Sequence, residues 1–351
     1  MRGRRVLPRF QRATTGVVTA ALSCLCVAAC SGGSPAPTST APPATSTSPA
    51  TAPGTQRSPQ SGTASTASTP TSSTPTTPTT PSSAPTPTRA AGAPRAYRTT
   101  VVHHGADHPD DLALDPTGAL LYSDYTNGTI TGLAADGSTR VVHRGLDGPE
   151  GLVQLADGTL VVAEENTNRV LAFAPGQQSP RVLATLPGRP VKATCRGGVD
   201  GIAWDPTTHT LVIPDPVTGT IYRLAPQGGS LTALARGFTH PVGAAVDSGG
   251  AVYVADECGG DVRRLGPGGS HTRVARASMP DDLAFDAAGD LLVTDVRHVD
   301  HDLRRWPAGG GASTVLASIG LVEPQGLLVD ASGNVYVSDD QSDVILRLSP
   351  A

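Results

Sequence analysis

Apolar and polar residues alternate at period two in short runs throughout residues 98–350, as in Asn334-Val335-Tyr336-Val337-Ser338. This is the pattern of half-buried strands, and no stretch of helical period competes with it. One phrase recurs six times: a Pro or Gly, an acid or small residue, an aliphatic, then Asp-x-x-Gly and a second strand ending in an acid. The first copy is Pro109-Asp110-Asp111-Leu112 with Asp115 and Gly118. The aliphatic anchors Leu112, Leu152, Ile202, Ala244, Leu283 and Leu327 lie 40, 50, 42, 39 and 44 residues apart. The closing acids are Asp124, Glu164, Asp215, Asp256, Asp295 and Asp339. A period near 43 residues built of short strands and Gly-rich turns is the length of a four-stranded propeller blade. The sequence therefore predicts an all-β fold over residues 96–351, a six-bladed β-propeller with four-stranded blades. A lone blade cannot bury both its faces, so the six must close into a ring. The chain ends after three strands of the sixth blade. The segment 98–103 repeats the fourth-strand pattern and is expected to complete that blade, clasping the two ends of the chain.

Ahead of this region the composition changes. Residues 1–29 carry Arg2, Arg4, Arg5, Arg9 and Arg12, then an uncharged stretch over 16–29 that is short for a membrane span. That order reads as a signal peptide. Val27-Ala28-Ala29-Cys30 followed by Ser31-Gly32-Gly33 resembles the bacterial lipobox, which implies lipidation of Cys30 and a membrane partner through the anchor. Residues 30–95 are almost all Ser, Thr, Pro, Ala and Gly, too polar to bury a core, and read as a disordered tether. The expected location is the outer face of a bacterial cell membrane.

None of the 30 acids and eight of the 26 basic residues precede residue 96, so the repeat region has a formal charge near −12. Phosphate partners require the opposite sign, which argues against nucleic acid. In a four-stranded blade, the loop leading into the inner strand and the loop joining the second and third strands share one face. Assigned so, 22 of the 30 acids fall on that face. At the start of each inner strand one position faces the central channel: Asp110, Glu150, Asp200, Val242, Asp281 and Gln325. Four carboxylates about one axis repel each other unless they bind protons or a cation. Their all-oxygen donor set favours Ca²⁺ or a related divalent cation.

The repeated phrases resemble the NHL-repeat propellers and the senescence marker protein/gluconolactonase family over about residues 98–350. The resemblance implies a divalent ion held at the inner-strand position by a Glu, two Asn and an Asp. Aligned on the following Asp, these fall on Asp110, Asp200, Val242 and Asp281, the last implied as the catalytic base. Asp200 replaces an amide with a charge, and Val242 has no donor atom.

His298, Asp300 and His301 sit in the upper loop of the fifth blade, with His108 and His240 in neighbouring loops, where any can serve as a base or ligand. No nucleophile-elbow or phosphate-loop motif occurs. Cys24 and Cys26 lie in the signal, leaving Cys195 and Cys258 on the same face in an exported domain, where a disulfide is expected. Two functions follow. One is a monomeric, tethered binding or sensing module with a small-molecule or protein ligand on the acidic face. The other is a divalent-metal-dependent lactonase or esterase.

Overall fold

The structure, a computed structural model, describes residues 96–191, 195–297, 301–318 and 320–351. The expected signal peptide, the tether and Cys30 lie outside the described residues. β1 (Tyr97–His104) comes first, followed by the first blade, β2 (Pro109–Leu114), β3 (Leu120–Asp124), β4 (Thr129–Leu133) and β5 (Thr139–Arg144). The second is β6 (Pro149–Gln154), β7 (Leu160–Glu164), β8 (Arg169–Phe173) and β9 (Arg181–Thr185). The third is β10 (Ala203–Asp205), β11 (Thr210–Asp215), β12 (Thr220–Leu224) and β13 (Thr232–Arg236). The fourth is β14 (Pro241–Val246), β15 (Val252–Asp256), β16 (Asp261–Leu265) and β17 (His271–Arg276). The fifth is β18 (Pro280–Phe285), β19 (Leu291–Asp295), β20 (Asp302–Trp306) and β21 (Thr314–Ala317). The last three are β22 (Pro324–Val329), β23 (Val335–Asp339) and β24 (Val344–Pro350). They form six four-stranded sheets. No helix among the described residues is long and apolar enough to cross a membrane.

The ring closes as the repeat arithmetic requires. β1 pairs antiparallel with β24, from Tyr97 opposite Pro350 to His104 opposite Val344. The Ala351 N–H donates to the Ala96 carbonyl at 2.9 Å. An apolar cluster fills every junction between blades. Ile130, Leu171 and Phe173 join the first to the second, and Val161, Leu211 and Ile213 the second to the third. Val212, Ile221 and Val254 follow, then Ala255, Val262 and Val293, then Leu292, Leu303 and Val337. Leu120, Tyr122 and Ile345 form the closing junction. Each such Leu, Ile or Val contributes about 1.5–3 kcal/mol on burial.

Asp serves two structural purposes here. In the first hairpin of a blade its carboxylate accepts the backbone N–H groups of the turn, as Asp330 does from Ser332 and Asn334, both at 2.9 Å. At the end of the second strand it fastens the loop that leads into the inner strand. Asp256 accepts from the His240 N–H at 2.7 Å, and Asp295 and Asp339 hold Ser278 and Val322 in the same way. Asp124 and Asp215 instead cap the turns after their own strands, through the Asn127 and Val217 N–H groups.

The inner strands carry the feature that shapes the channel. Pairing with the second strand shifts between Pro109 and Leu112, and likewise in the second, fourth, fifth and sixth blades. Such a bulge inserts an extra residue and re-aims its side chains. Where a hydroxyl lies opposite, it takes over the missing ladder bonds: Ser123 Oγ accepts from the Asp111 N–H, Thr294 from Asp282 and Ser338 from Gly326, each at 2.9 Å.

If closure depends on β1, deleting residues 96–104 exposes the edge of β24 and removes Val102 from the closing junction. The melting temperature should then fall by about 10 °C or more, at about 2–4 °C per kcal/mol for a domain of this size. Calorimetry and light scattering check this; a monomeric product with unchanged melting refutes the clasp.

Candidate functional site

Around the axis the inner strands touch backbone to backbone. A Cβ on Gly151, Gly243 or Gly326 would overlap the next blade at the carbonyl oxygens of Asp200, Asp281 and Asp110. At the same position the first and fifth blades carry Asp111 and Asp282, whose carboxylates staple one blade to the next. Asp111 accepts from the N–H groups of Leu112 in its own blade and Leu152 in the second, both at 2.6 Å. Asp282 accepts from Leu283 at 2.7 Å and from Leu327 of the sixth blade at 2.9 Å. Sequence spacing alone did not single out these two. The signal was present: four blades have Gly after the channel position, and only these two have Asp.

Asp110, Glu150, Asp200 and Asp281 come from four blades and converge on the channel. A central cavity of about 10 Å³, room for one water or a small ion, is lined by Asp110, Asp111, Asp200, Asp281 and Asp282 with Gly201, Gly243 and Gly326. Asp110, Glu150 and Asp281 are less than a tenth exposed, and Glu150 Oε2 is buried with no partner. Val242 does not face a ligand; it is 1 % exposed and packs into the junction of the fourth and fifth blades. No three carboxylates of the channel quartet come within 4.8 Å of one another, a spacing met among the described residues by His240, Glu257 and Cys258 and by Asp107, His108 and Asp343.

Electrostatics follow from burial without counter-charge. Burial, then mutual repulsion, pushes Asp110, Glu150, Asp281 and Asp282 well above the ordinary carboxylate range. Burial raises Asp111 to about 7 against the lowering effect of its two N–H donors. Burial and the charges of Glu165 and Glu257 raise Asp200 to about 7. Oxygen-only donors are of the kind that a hard divalent cation takes.

A second constellation lies on the upper rim. His240 Nδ1 is 2.6 Å from Glu257 Oε2, and the Glu257 N–H donates to the His240 carbonyl at 2.9 Å. His240 Nε2 is buried with no partner. Burial lowers the His240 pKa, but Glu257, Asp200 and Asp256 outweigh it and hold the ring above its usual value. Glu165 Oε1 accepts from the Gly198 N–H at 3.2 Å, and Oε2 accepts from the Tyr125 hydroxyl at 2.8 Å. The Cys195–Cys258 disulfide, with Cα atoms 6.0 Å apart, ties the loop before Asp200 to the residue after Glu257. Sequence reading placed His240 and the disulfide on this face but missed Glu257, Glu165 and Tyr125. His108 pairs with Asp340 at 3.2 Å on an exposed edge, with Nδ1 taken. His298 and Asp300 lie outside the described residues, and His301 immediately precedes β20.

No family model and no curated protein matches this chain. Solved structures do. A gluconolactonase from Xanthomonas campestris is 16% identical, with a TM-score of 0.60 over 73% of this chain and 91% of that one. Virginiamycin B lyase from Staphylococcus aureus is 17% identical, with a TM-score of 0.53 over 68% and 80%. A nidogen/laminin complex contributes a chain 17% identical, with a TM-score of 0.55 over 65% and 88%. The fold is shared. At these identities the likeness extends no further, since one propeller frame carries many functions.

Two outcomes follow from this geometry. An acid whose folded-state pKa exceeds its unfolded value stabilises the fold at low pH and loses that contribution as pH rises through the folded value. For Asp111 and Asp200 that window runs from about 4 to about 7. In EDTA, melting temperature should therefore drop between pH 4.5 and 7.5, and drop less in Asp200→Asn; identical pH profiles for the two proteins would show that the channel acids carry no such strain. Replacing both Cys195 and Cys258 by Ser removes a cross-link across 63 positions. The chain-entropy relation gives about 4 kcal/mol for a loop of that size. Urea unfolding should show a loss of that order, and peptide mapping should recover the wild-type pair as a disulfide.

Proposed function

We propose that this protein is a membrane-tethered, outward-facing propeller that holds a divalent cation at its channel mouth and binds a ligand on the acidic face above it. The observation that carries this reading is Glu150: a buried carboxylate oxygen without a partner, beside Asp110, Asp200 and Asp281, to none of which a described residue donates a hydrogen bond. A buried, uncompensated charge is costly unless a proton or cation meets it. Ca²⁺ or another divalent cation is the expected ion at neutral pH. The tether and Cys30 supply the membrane association. The nidogen/laminin structure is a precedent for a propeller of this shape in a protein complex.

A second reading, metal-dependent hydrolysis of a lactone or ester, is favoured by the place of Asp281. It is 7 % exposed and lines the central cavity with Asp110 and Asp200, where these residues would hold the cation and Asp281 as a carboxylate would serve as the base. The gluconolactonase of the same fold supports this reading without deciding it.

A ligand that binds only the folded state adds about 2.7 kcal/mol at a hundred times its Kd. Millimolar Ca²⁺ should raise the melting temperature by about 5–10 °C. Asp281→Asn and Asp200→Asn should blunt the rise, while Asp330→Asn, in a first-hairpin turn, should not. If Ca²⁺, Mg²⁺, Mn²⁺ and Zn²⁺ all leave melting unmoved, the channel holds protons and water only.

A further inference from the structure

We propose that the upper face binds an organic polycation, a ligand carrying two or more ammonium groups on aliphatic stems, as in a polyamine or a set of lysine side chains. This rests on the reading that a ligand binds the acidic face, and not on the cation below it.

The repeat itself positions the site. One residue follows each closing acid: Tyr125, Glu165, Pro216, Glu257, Val296 and Asp340 in blade order. The N–H groups of Glu165, Glu257, Val296 and Asp340 donate to the carbonyls of Gly148, His240, Met279 and Glu323 at 2.8, 2.9, 3.0 and 3.0 Å. Each acceptor is the residue before the proline that starts the inner strand, so the backbone frame is the same in these four blades. Acids therefore hold this place in the second, fourth and sixth blades, and uncharged residues in the other three. The propeller brings the three acids near the channel. The charge of Asp340 acts on Asp110, that of Glu165 on Glu150 and Asp200, and that of Glu257 on Asp200 and Asp281. Glu150 points to a ligand independently of this cluster. It is 9 % exposed, and its Oε2 is buried with no partner. It does not line the central cavity. Its charge acts instead on the Tyr125 hydroxyl, which itself lies 2.8 Å from Glu165. A buried acceptor without a donor calls for a donor from outside the chain.

Spacing and access select the class of ligand. Among the described residues, neither group of three metal-ligating side chains that meet within 4.8 Å contains two of these acids. The upper tier therefore does not gather round one metal ion. Its charge is distributed, one carboxylate every second blade, which matches a ligand whose own charges are spaced along a chain. The acids reach solvent: the Glu257 and Asp340 side chains are 13% and 24% exposed, and Glu165 is half-buried. Their side-chain partners are the Tyr125 hydroxyl and the imidazoles of His240 and His108, and no described Arg or Lys pairs with them. A carboxylate accepts more hydrogen bonds than these supply, and an ammonium brings three donors and no acceptor. The same field repels anions.

The test is calorimetric titration of the purified full chain with spermidine, an acetylated peptide bearing three lysines, butylamine and an acidic peptide. Spermidine or the lysine peptide should bind once per chain, about tenfold or more tighter than butylamine, and the acidic peptide should not bind. Tighter binding of spermidine marks a free polyamine as the source of the ammonium groups, and tighter binding of the peptide marks the lysines of a protein; both carry the proposal. Raising NaCl from about 50 to about 500 mM should weaken binding about tenfold or more, because half-exposed pairs are screened. Glu165→Gln, Glu257→Gln and Asp340→Asn combined should weaken it about tenfold or more, while Asp330→Asn, in a first-hairpin turn, should leave it within about twofold. If the triple variant melts early, the single variants, each weakened about threefold, give the same reading. No binding by either polycation, butylamine binding as tightly as spermidine, uptake that does not saturate, or full-strength binding by the triple variant would each overturn the proposal. Binding of the acidic peptide instead would keep the face as a ligand site and overturn this chemistry. The Ca²⁺-induced melting rise is scored separately. Its loss with polycation binding intact removes the channel cation alone, and its presence without polycation binding removes this proposal alone.

Discussion

Six inner strands meeting at one axis leave little room between backbones, and that crowding governs the rest of the molecule. Gly151, Gly201, Gly243 and Gly326 are tolerated because the next blade occupies the space a side chain would need. Where the first and fifth blades depart from Gly, the side chain must do what backbone contact does elsewhere. Asp111 and Asp282 do so by accepting N–H groups across the gap. Five of the inner strands carry a bulge at this level, and in the first and fifth blades the residue beside it, Asp110 or Asp281, lines the central cavity. A carboxylate at that position is thus carried inward by packing, whatever it does there.

This separates two populations of acid that composition merges. Asp115, Asp205, Asp247 and Asp330 are matched by backbone or hydroxyl donors in turns, and Asp205 also by Arg223 at 2.7 Å. For Asp115 and Asp205 these donors outweigh burial and lower the pKa. Asp110, Glu150, Asp200 and Asp281 have no such donors, and burial drives them the other way. An acid matched to donors stabilises the fold. An acid buried without them is an expense that only a bound partner or a proton removes.

The sequence made the frame legible because a propeller is a repeat. Period, alternation and the leftover strand at 98–103 located all six sheets and the clasp, and the structure differs mainly in extending that strand to Tyr97–His104. The place of Asp110, Asp200 and Asp281 on the central cavity was legible for the same reason, since they hold one position of the repeat. Glu257, Glu165 and Tyr125 were not. They sit in upper loops whose conformations follow no repeat, and nothing in their spacing states that a Tyr of the first blade donates to a Glu of the second. Asp111 and Asp282 fall between: their departure from Gly is visible in the aligned repeats, but its meaning needs the backbone distance between blades.

The third blade is where the repeat is broken, and the break explains the rim. Its anchor follows the previous one by 50 residues, the largest spacing in the chain. Its phrase lacks the Pro that starts the other five inner strands, and its inner strand shrinks to Ala203–Asp205. Residues 199–202 therefore approach the axis without ladder bonds to hold them. The disulfide, the Val199 N–H donated to Asn168 at 2.9 Å and the Gly198 N–H donated to Glu165 replace those bonds from the neighbouring blades. A loop freed from its own sheet and tied to its neighbours can be shaped independently of the propeller repeat. It is this loop that lays Gly197 against the unpartnered nitrogen of His240.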